Sequence, residues 1–327
     1  MNFRLIVFLV WTLGGTFRGA AQLSFEAFGD PFDARTVDLV WNVSVGKLPS
    51  SLDTLKVLPA VFSDEVVSNV IDLCQFLEPE NVRARFRAVA QGSDVSYQEP
   101  HPEKPVLGKS LRISPASGYI NYFNPTASSL PRTPIKEVPS QEQAFDLAVK
   151  LLPKLGIRES ELTHRADSKQ FDYLITTETN GHFDKQQKKI VEEVTARGVV
   201  LFRQVNGVSF SGQGDCGGIR VKFGNNAQIK ELALTWRNVK PEKTKAVANP
   251  AQIVERIKKG NAVIRLPEGV ANPGVIKKLT ITQARPYYFG FDGGERQKTI
   301  YPYVMLVATA DTGTTNFVVS LNCPIFK

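Results

Sequence analysis

Cysteine, histidine and methionine are scarce, at three, three and two among 327 residues. So few cysteines exclude a disulfide-dense scaffold and leave room for one bridge with one thiol over. No Cys-x-x-Cys pair occurs, and the histidines stand alone at His101, His164 and His182. Neither a metal-ligand set nor a cofactor is expected. After Leu13 no apolar run approaches the roughly 18 residues that a membrane-spanning helix needs. The glycine-rich run 212–218 lacks the Lys-Ser/Thr of a phosphate-binding loop. Glu192 and Glu193 are adjacent, so on a strand they point to opposite faces and cannot act as a carboxylate dyad. Basic residues outnumber acidic ones by 40 to 32, a net charge of +8, but they are scattered and form no long stripe. Nucleic acid is therefore not an expected partner.

What is present begins with an export signal. Residues 1–21 combine Arg4, an apolar core at 5–13, and the small residues Gly19, Ala20 and Ala21 before Gln22. That pattern reads as a cleaved signal peptide and predicts a secreted or otherwise extracytoplasmic protein. An uncleaved N-terminal anchor is the alternative.

Beyond it, periodicity predicts helices and strands in alternating blocks. Val37, Leu39, Trp41, Val43 and Val45 alternate as a half-buried strand. Ser63 caps a helix whose apolar face is Val66, Val67, Val70, Ile71 and Cys74, with Pro79 as its stop. Residues 81–90 read as a strand and 111–122 as a hairpin turning at 115–118. Ser140 and Gln143 form a capping box for a second helix, and Asn249 and Pro250 open a third that ends at Gly260. Further strands are expected at 171–177, at 190–205 with a break near Arg197 and Gly198, and at 275–284, 301–310 and 316–323. Asn180-Gly181 and 311–313 supply turns. The fold class is α+β, with tandem units of one helix packed on an antiparallel sheet. Their boundaries are an N-terminal unit with its leading strand at 22–130, a linker at 131–139, a middle unit at 140–243 and a C-terminal unit at 244–327.

The stretch 198–239 carries the sequence Gly214-Asp215-Cys216-Gly217-Gly218. As a cysteine-protease loop it would offer Cys216 as nucleophile, with glycine backbone amides as an oxyanion hole. That chemistry needs an imidazole and an orienting carboxylate. None of the three histidines is well placed for it, and two good helices stand where a double β-barrel would need strands. The structural alternative is a sheet corner at which Cys216 forms a disulfide with Cys323 or stays a buried thiol, with Cys74 a small core residue.

A resemblance to a known family rests on this same stretch. Asn206, Gly207, Val208, Phe210 and Gly212 lead to Ile219, Val221, Phe223 and Asn225, then to Ile229, Leu232, Trp236 and Arg237. The series resembles the propeptide-like PepSY domain and the YycH/YycI-type regulators of sensor kinases. Residues 303–319 look similar, and 111–122 form a fainter copy. The resemblance implies a helix on an antiparallel sheet and a non-catalytic module that binds a protein or peptide partner or restrains a peptidase.

The binding candidates are aromatic. Tyr287 and Tyr288 precede a charged loop, Tyr301 and Tyr303 share one face of the next strand, and Trp236 can lie beside them. They form either core or an exposed recognition face. The function expected is a secreted, non-catalytic binding or regulatory module for an extracytoplasmic protein or peptide. A wall- or surface-associated structural protein is the alternative, and a cysteine protease acting through Cys216 a lesser one.

Overall fold

A computed structural model of the chain describes residues 29–46, 48–60, 62–101, 108–127, 137–165, 170–184, 188–212, 217–269, 275–291, 293 and 295–327. The expected signal segment at 1–21 and Cys216 lie outside these residues. In chain order the elements are β1 (Asp30–Pro31), β2 (Asp38–Val45), β3 (Ser51–Leu58), α1 (Asp64–Cys74), α2 (Pro79–Phe86), β4 (Val95–Gln98), β5 (Ser110–Ser114) and β6 (Tyr119–Phe123). There follow α3 (Gln141–Leu151), β7 (Tyr173–Asp184), β8 (Lys189–Phe202), β9 (Gln204–Val205), β10 (Val208–Gly212), β11 (Gly218–Phe223), β12 (Ile229–Thr235) and β13 (Asn238–Ala246). The chain closes with α4 (Pro250–Lys258), β14 (Val263–Arg265), β15 (Lys278–Gly290), β16 (Thr299–Asp311) and β17 (Asn316–Pro324). The fold is mixed α+β and mostly sheet.

The helices start where local chemistry starts them. Ser63 Oγ accepts from the Val66 N–H at 3.2 Å, and Asp64 and Glu65 occupy the dipole-favoured first turn of α1. Both expected capping boxes form, Ser140 with Gln143 on α3 and Asn249 with Gln252 on α4. Pro79 does not merely stop α1. It opens α2, where its fixed φ and missing N–H suit the first helical position. The strand expected at 81–90 is therefore a helix followed by a short 3-10 turn. Arg-x-Arg-x-Arg mimics a period of two, but Val82, Phe86 and Val89 are the buried residues, and their spacing is helical.

Two sheets organise the molecule. One has the order β4-β5-β6-β12-β11-β8-β7, antiparallel throughout. The first three helices cover one face of it, burying Val70, Ile71, Phe86, Ala144 and Ala148 against Ile113, Ile120, Val199, Val221 and Leu232. The other runs β1-β14-β17-β16-β15-β10-β9, with β2 parallel to the first half of β15, β3 on the start of β16, and β13 on β3. Ile253 and Ile257 of α4 pack into its core with Leu279, Ile281, Leu306 and Leu321.

The sequential units expected from periodicity do not keep separate sheets. The β5–β6 hairpin, assigned to the N-terminal unit, pairs through β6 with β12 of the middle unit, and β2 joins the C-terminal sheet. Backbone edges seek partners wherever an apolar face can be made continuous, and tight turns do not restrict them to neighbours in sequence. Two local corrections have the same cause. Asn180 and Gly181 are not a turn, since their ladder partners are Glu193 and Glu192 and pairing continues to Asp184 with Lys189. Nor does β8 break at Gly198, where a β-carbon would lie 2.2 Å from Thr176 Oγ1, so that glycine lets β7 close against it without moving that side chain.

Candidate functional site

The expected site stretch turns out to be the crossing between the two sheets. Leaving β8, the chain reaches Arg203, whose N–H donates to Gly217 O at 2.8 Å in the seven-stranded sheet. Its carbonyl accepts from the Phe210 N–H, also at 2.8 Å, in the ten-stranded one. Between them Asn206 and Gly207 adopt positive φ of 52° and 76°, the two-residue hairpin geometry that Asn-Gly favours, and join β9 to β10. β10 then lies parallel to β15, with Ser209 opposite Tyr287 and Phe210 opposite Tyr288.

The Arg203 side chain is only 4% exposed. Its guanidinium carbon lies 4.6 Å from the Trp236 ring centroid and 5.1 Å from that of Phe210. Nη1 donates to Arg237 O at 2.6 Å, and Nη2 to Glu161 Oε1 at 3.4 Å. Trp236 Nε1 donates to the same carboxylate oxygen at 3.4 Å. A buried cation is tolerable here because two ring faces, a carbonyl and a carboxylate replace its water. Arg237 carries the tie onward, donating from Nη1 to Phe291 O at 2.8 Å and from Nη2 to Glu295 O at 3.0 Å.

Phe210 contacts Tyr288 with ring centroids 5.4 Å apart, and Tyr288 forms the floor of an open cleft of about 600 Å³. Its walls are Leu52, Asp53, Asn206, Val208, Thr244 and Pro286. The cleft lies between the β3–β13 pair and the β9–β10 turn, beside a stretch of the β15 edge that pairs with neither β2 nor β10. Pairing with β2 ends at Gln283, and pairing with β10 begins at Tyr287. Pro286, which has no N–H to offer a ladder, sits in the gap. Asp53 Oδ1 accepts from Thr244 Oγ1 at 2.6 Å. Tyr288 is 1% exposed, yet among the described residues its hydroxyl has no hydrogen-bond partner. Burial, and then the charge of Asp53, push its pKa up to about 12, so the phenol stays neutral.

The other predicted site residues are distributed differently. Tyr287 and Tyr303 are each 6% exposed and face one another across β15 and β16. Tyr287 Oη donates to Asn322 Oδ1 at 3.0 Å. They belong to the interior and form no exposed recognition face, because a cross-strand aromatic pair gains more from burying two rings than from displaying them. Tyr301 is 37% exposed at the sheet rim. Trp236 is half-buried in the Arg203 stack, linked to Tyr288 only through Arg203 and Phe210.

Cys323 is a free, fully buried thiol, its Sγ 3.7 Å from Pro324 O, and desolvation pushes its pKa up to about 12. The bridge expected with Cys216 is not made at this end. Cys74 is likewise buried and free. Of the proposed protease loop, Gly217 and Gly218 fall within the described residues. Gly217 has φ 66°, and a β-carbon there would meet Phe210 Cβ at 2.1 Å. Among the described residues no group of three His, Cys, Asp or Glu side chains could hold a metal ion, and no helix is long and apolar enough to cross a membrane.

Arg203, Asp53 and Thr244 escaped the sequence reading. Arg203 had a signal, as the single charge in an otherwise apolar strand run. Asp53 and Thr244 had none, since they meet across a pairing 191 residues apart.

No family model matches the chain, and no curated protein matches it. Among solved structures, an uncharacterized protein from Eubacterium rectale is similar over 86% of this chain and 85% of its own, with a TM-score of 0.44 and 12% sequence identity.

Proposed function

We propose that the protein is a secreted, non-catalytic binding or regulatory module whose partner, an extracytoplasmic protein or peptide, engages the cleft between β3 and the β9–β10 turn. The observation that carries this is Tyr288, whose ring is buried while its hydroxyl makes no hydrogen bond among the described residues, at an open cleft lined by polar and apolar groups. A hydroxyl at a cleft without an internal partner is available to a ligand. The leader at residues 1–21 supports export.

A photo-crosslinking residue at Asn206, with a second at exposed Val318 as control, tests this in the medium or envelope. Support is a defined adduct at Asn206 that is absent at Val318 and lost in Tyr288→Phe. Equal capture at both positions would count against the cleft. Peptide-bond hydrolysis abolished by Cys216→Ala would overturn the non-catalytic assignment. The net charge of +8 favours a second reading, a wall- or surface-associated structural protein. Salt-sensitive co-sedimentation with cell-wall material, without any adduct at Asn206, would support it instead.

A further inference from the structure

Asp53 is half-buried at the wall of the cleft, and among the described residues it takes part in no ion pair. Thr244 occupies its Oδ1, which leaves Oδ2 to accept from a ligand. Two further polar side chains line the same space, the Tyr288 phenol and the Asn206 amide, neither engaged elsewhere in the described chain. Around them Leu52, Val208 and Pro286 supply apolar walls. Asp53 is the one charged group of this lining, and together with neutral groups that can accept hydrogen bonds and a hydrocarbon frame it discriminates among ligand groups. An anion meets Asp53 unfavourably. A neutral apolar group leaves both Asp53 and the phenol unpartnered, which costs more than its burial returns. A compact cation with three N–H donors and an aliphatic stem satisfies both kinds of surface.

We propose that the cleft is a recognition pocket for a primary alkylammonium group, specifically a lysine side chain presented by the partner segment. Asp53 supplies the charge-assisted hydrogen bond, Tyr288 and Asn206 accept the remaining protons, and the methylene stem lies along Leu52, Val208 and Pro286. This rests on the assignment of the cleft as a partner site, and it names the side chain that enters.

Isothermal titration calorimetry of the full secreted chain with the tripeptide acetyl-Gly-Lys-Gly-amide, and with the same peptide acetylated at Nε, tests it directly. Binding of the lysine peptide should fall by about tenfold or more on Nε-acetylation and in Asp53→Asn, one factor of ten corresponding to about 1.4 kcal/mol. Tyr288→Phe should weaken it severalfold while circular dichroism and melting temperature confirm that both variants remain folded. Equal affinity for the acetylated peptide, or unaltered binding by Asp53→Asn, would overturn the ammonium assignment. So would binding of neither peptide. The partner-site reading is judged separately: a Tyr288-dependent adduct at Asn206 would keep it with a ligand of other chemistry, and loss of that adduct too would remove both.

Discussion

Arg203 and Phe210 are joined twice, by a 2.8 Å backbone hydrogen bond from the Phe210 N–H to the Arg203 carbonyl and by the guanidinium lying 5.1 Å from the ring centroid. Because the Arg203 N–H bonds into the other sheet, this residue fixes how the two halves of the molecule meet, and the cleft beside Tyr288 depends on that register.

Arg203→Ala should therefore destabilise strongly, by about 3–5 kcal/mol, since it removes the donors to Glu161 and Arg237 O and leaves an empty space between the Trp236 and Phe210 rings. Arg203→Lys should recover only part of the loss, because an ammonium cannot stack between two rings and donate along two directions as the fork does. Urea denaturation followed by tryptophan fluorescence measures both. A loss below about 1 kcal/mol for the alanine variant would show that the stack is not what holds the junction.

Gly217→Ala is expected to be costly although it adds a single carbon. The position has φ 66°, and the new atom would lie 2.1 Å from Phe210 Cβ. Left-handed strain alone costs about 1–2 kcal/mol, and displacing Phe210 adds to it. The melting temperature should drop by several degrees, whereas Gly92→Ala, with positive φ but open space around it, should show only the strain contribution. Similar losses at the two positions would argue against tight packing at Gly217.

Tyr287→Phe and Tyr287→Ala separate hydrogen bonding from burial. The first removes the partner of Asn322 Oδ1 and should cost about 1–3 kcal/mol. The second also empties a ring-sized space in the core and should cost about 3–5 kcal/mol. Neither should alter partner capture at Asn206 once the protein is folded. Specific loss of binding with unchanged stability would return Tyr287 to the recognition surface.

Thiol chemistry tests the free state of Cys323. Under denaturing conditions without reductant it should be alkylated completely, while in the native protein it should react slowly, as burial and a pKa pushed up to about 12 both suppress the thiolate. A peptide linking Cys216 to Cys323 in unreduced digests would refute this.

The same burial sets an alkaline limit. For Cys323 the folded pKa is raised from 9.0 to about 12, and for Tyr288 and Tyr303 from 10.0 to about 12. Between these values the unfolded chain releases protons that the folded chain keeps, so stability falls as pH rises, by about 1.4 kcal/mol per pH unit for each such group. Below about pH 9 these groups contribute no pH dependence. Urea midpoints measured from pH 8 to 11 should be flat at first and then decline, and a midpoint that rose above pH 10 would contradict the burial of all three.

Helix ends were the most legible part of the chain. Ser63, Ser140 with Gln143, and Asn249 with Pro250 act within one turn of backbone, so sequence neighbours decide them. The Asn-Gly dipeptide was less legible, since it turns at 206–207 but lies within a paired strand at 180–181. Residues 81–90 show the limit, because a short Arg-x-Arg alternation has a strand's period although Val82, Phe86 and Val89 share one buried helical face.

By itself, then, the sequence determined the α+β character, the helix caps, the alternation of the long strands and the importance of the stretch around 198–239. Tertiary structure alone decided that this stretch crosses between sheets, that Tyr287 and Tyr303 go inside, that Cys323 stays free, and that Asp53 meets Thr244 and Tyr288 at a cleft. The physical reason is range. Capping and turn geometry depend on residues three or four positions apart, whereas ladder pairing, aromatic burial and the gap between β2 and β10 depend on which distant backbone edges meet, and local periodicity carries no record of that choice.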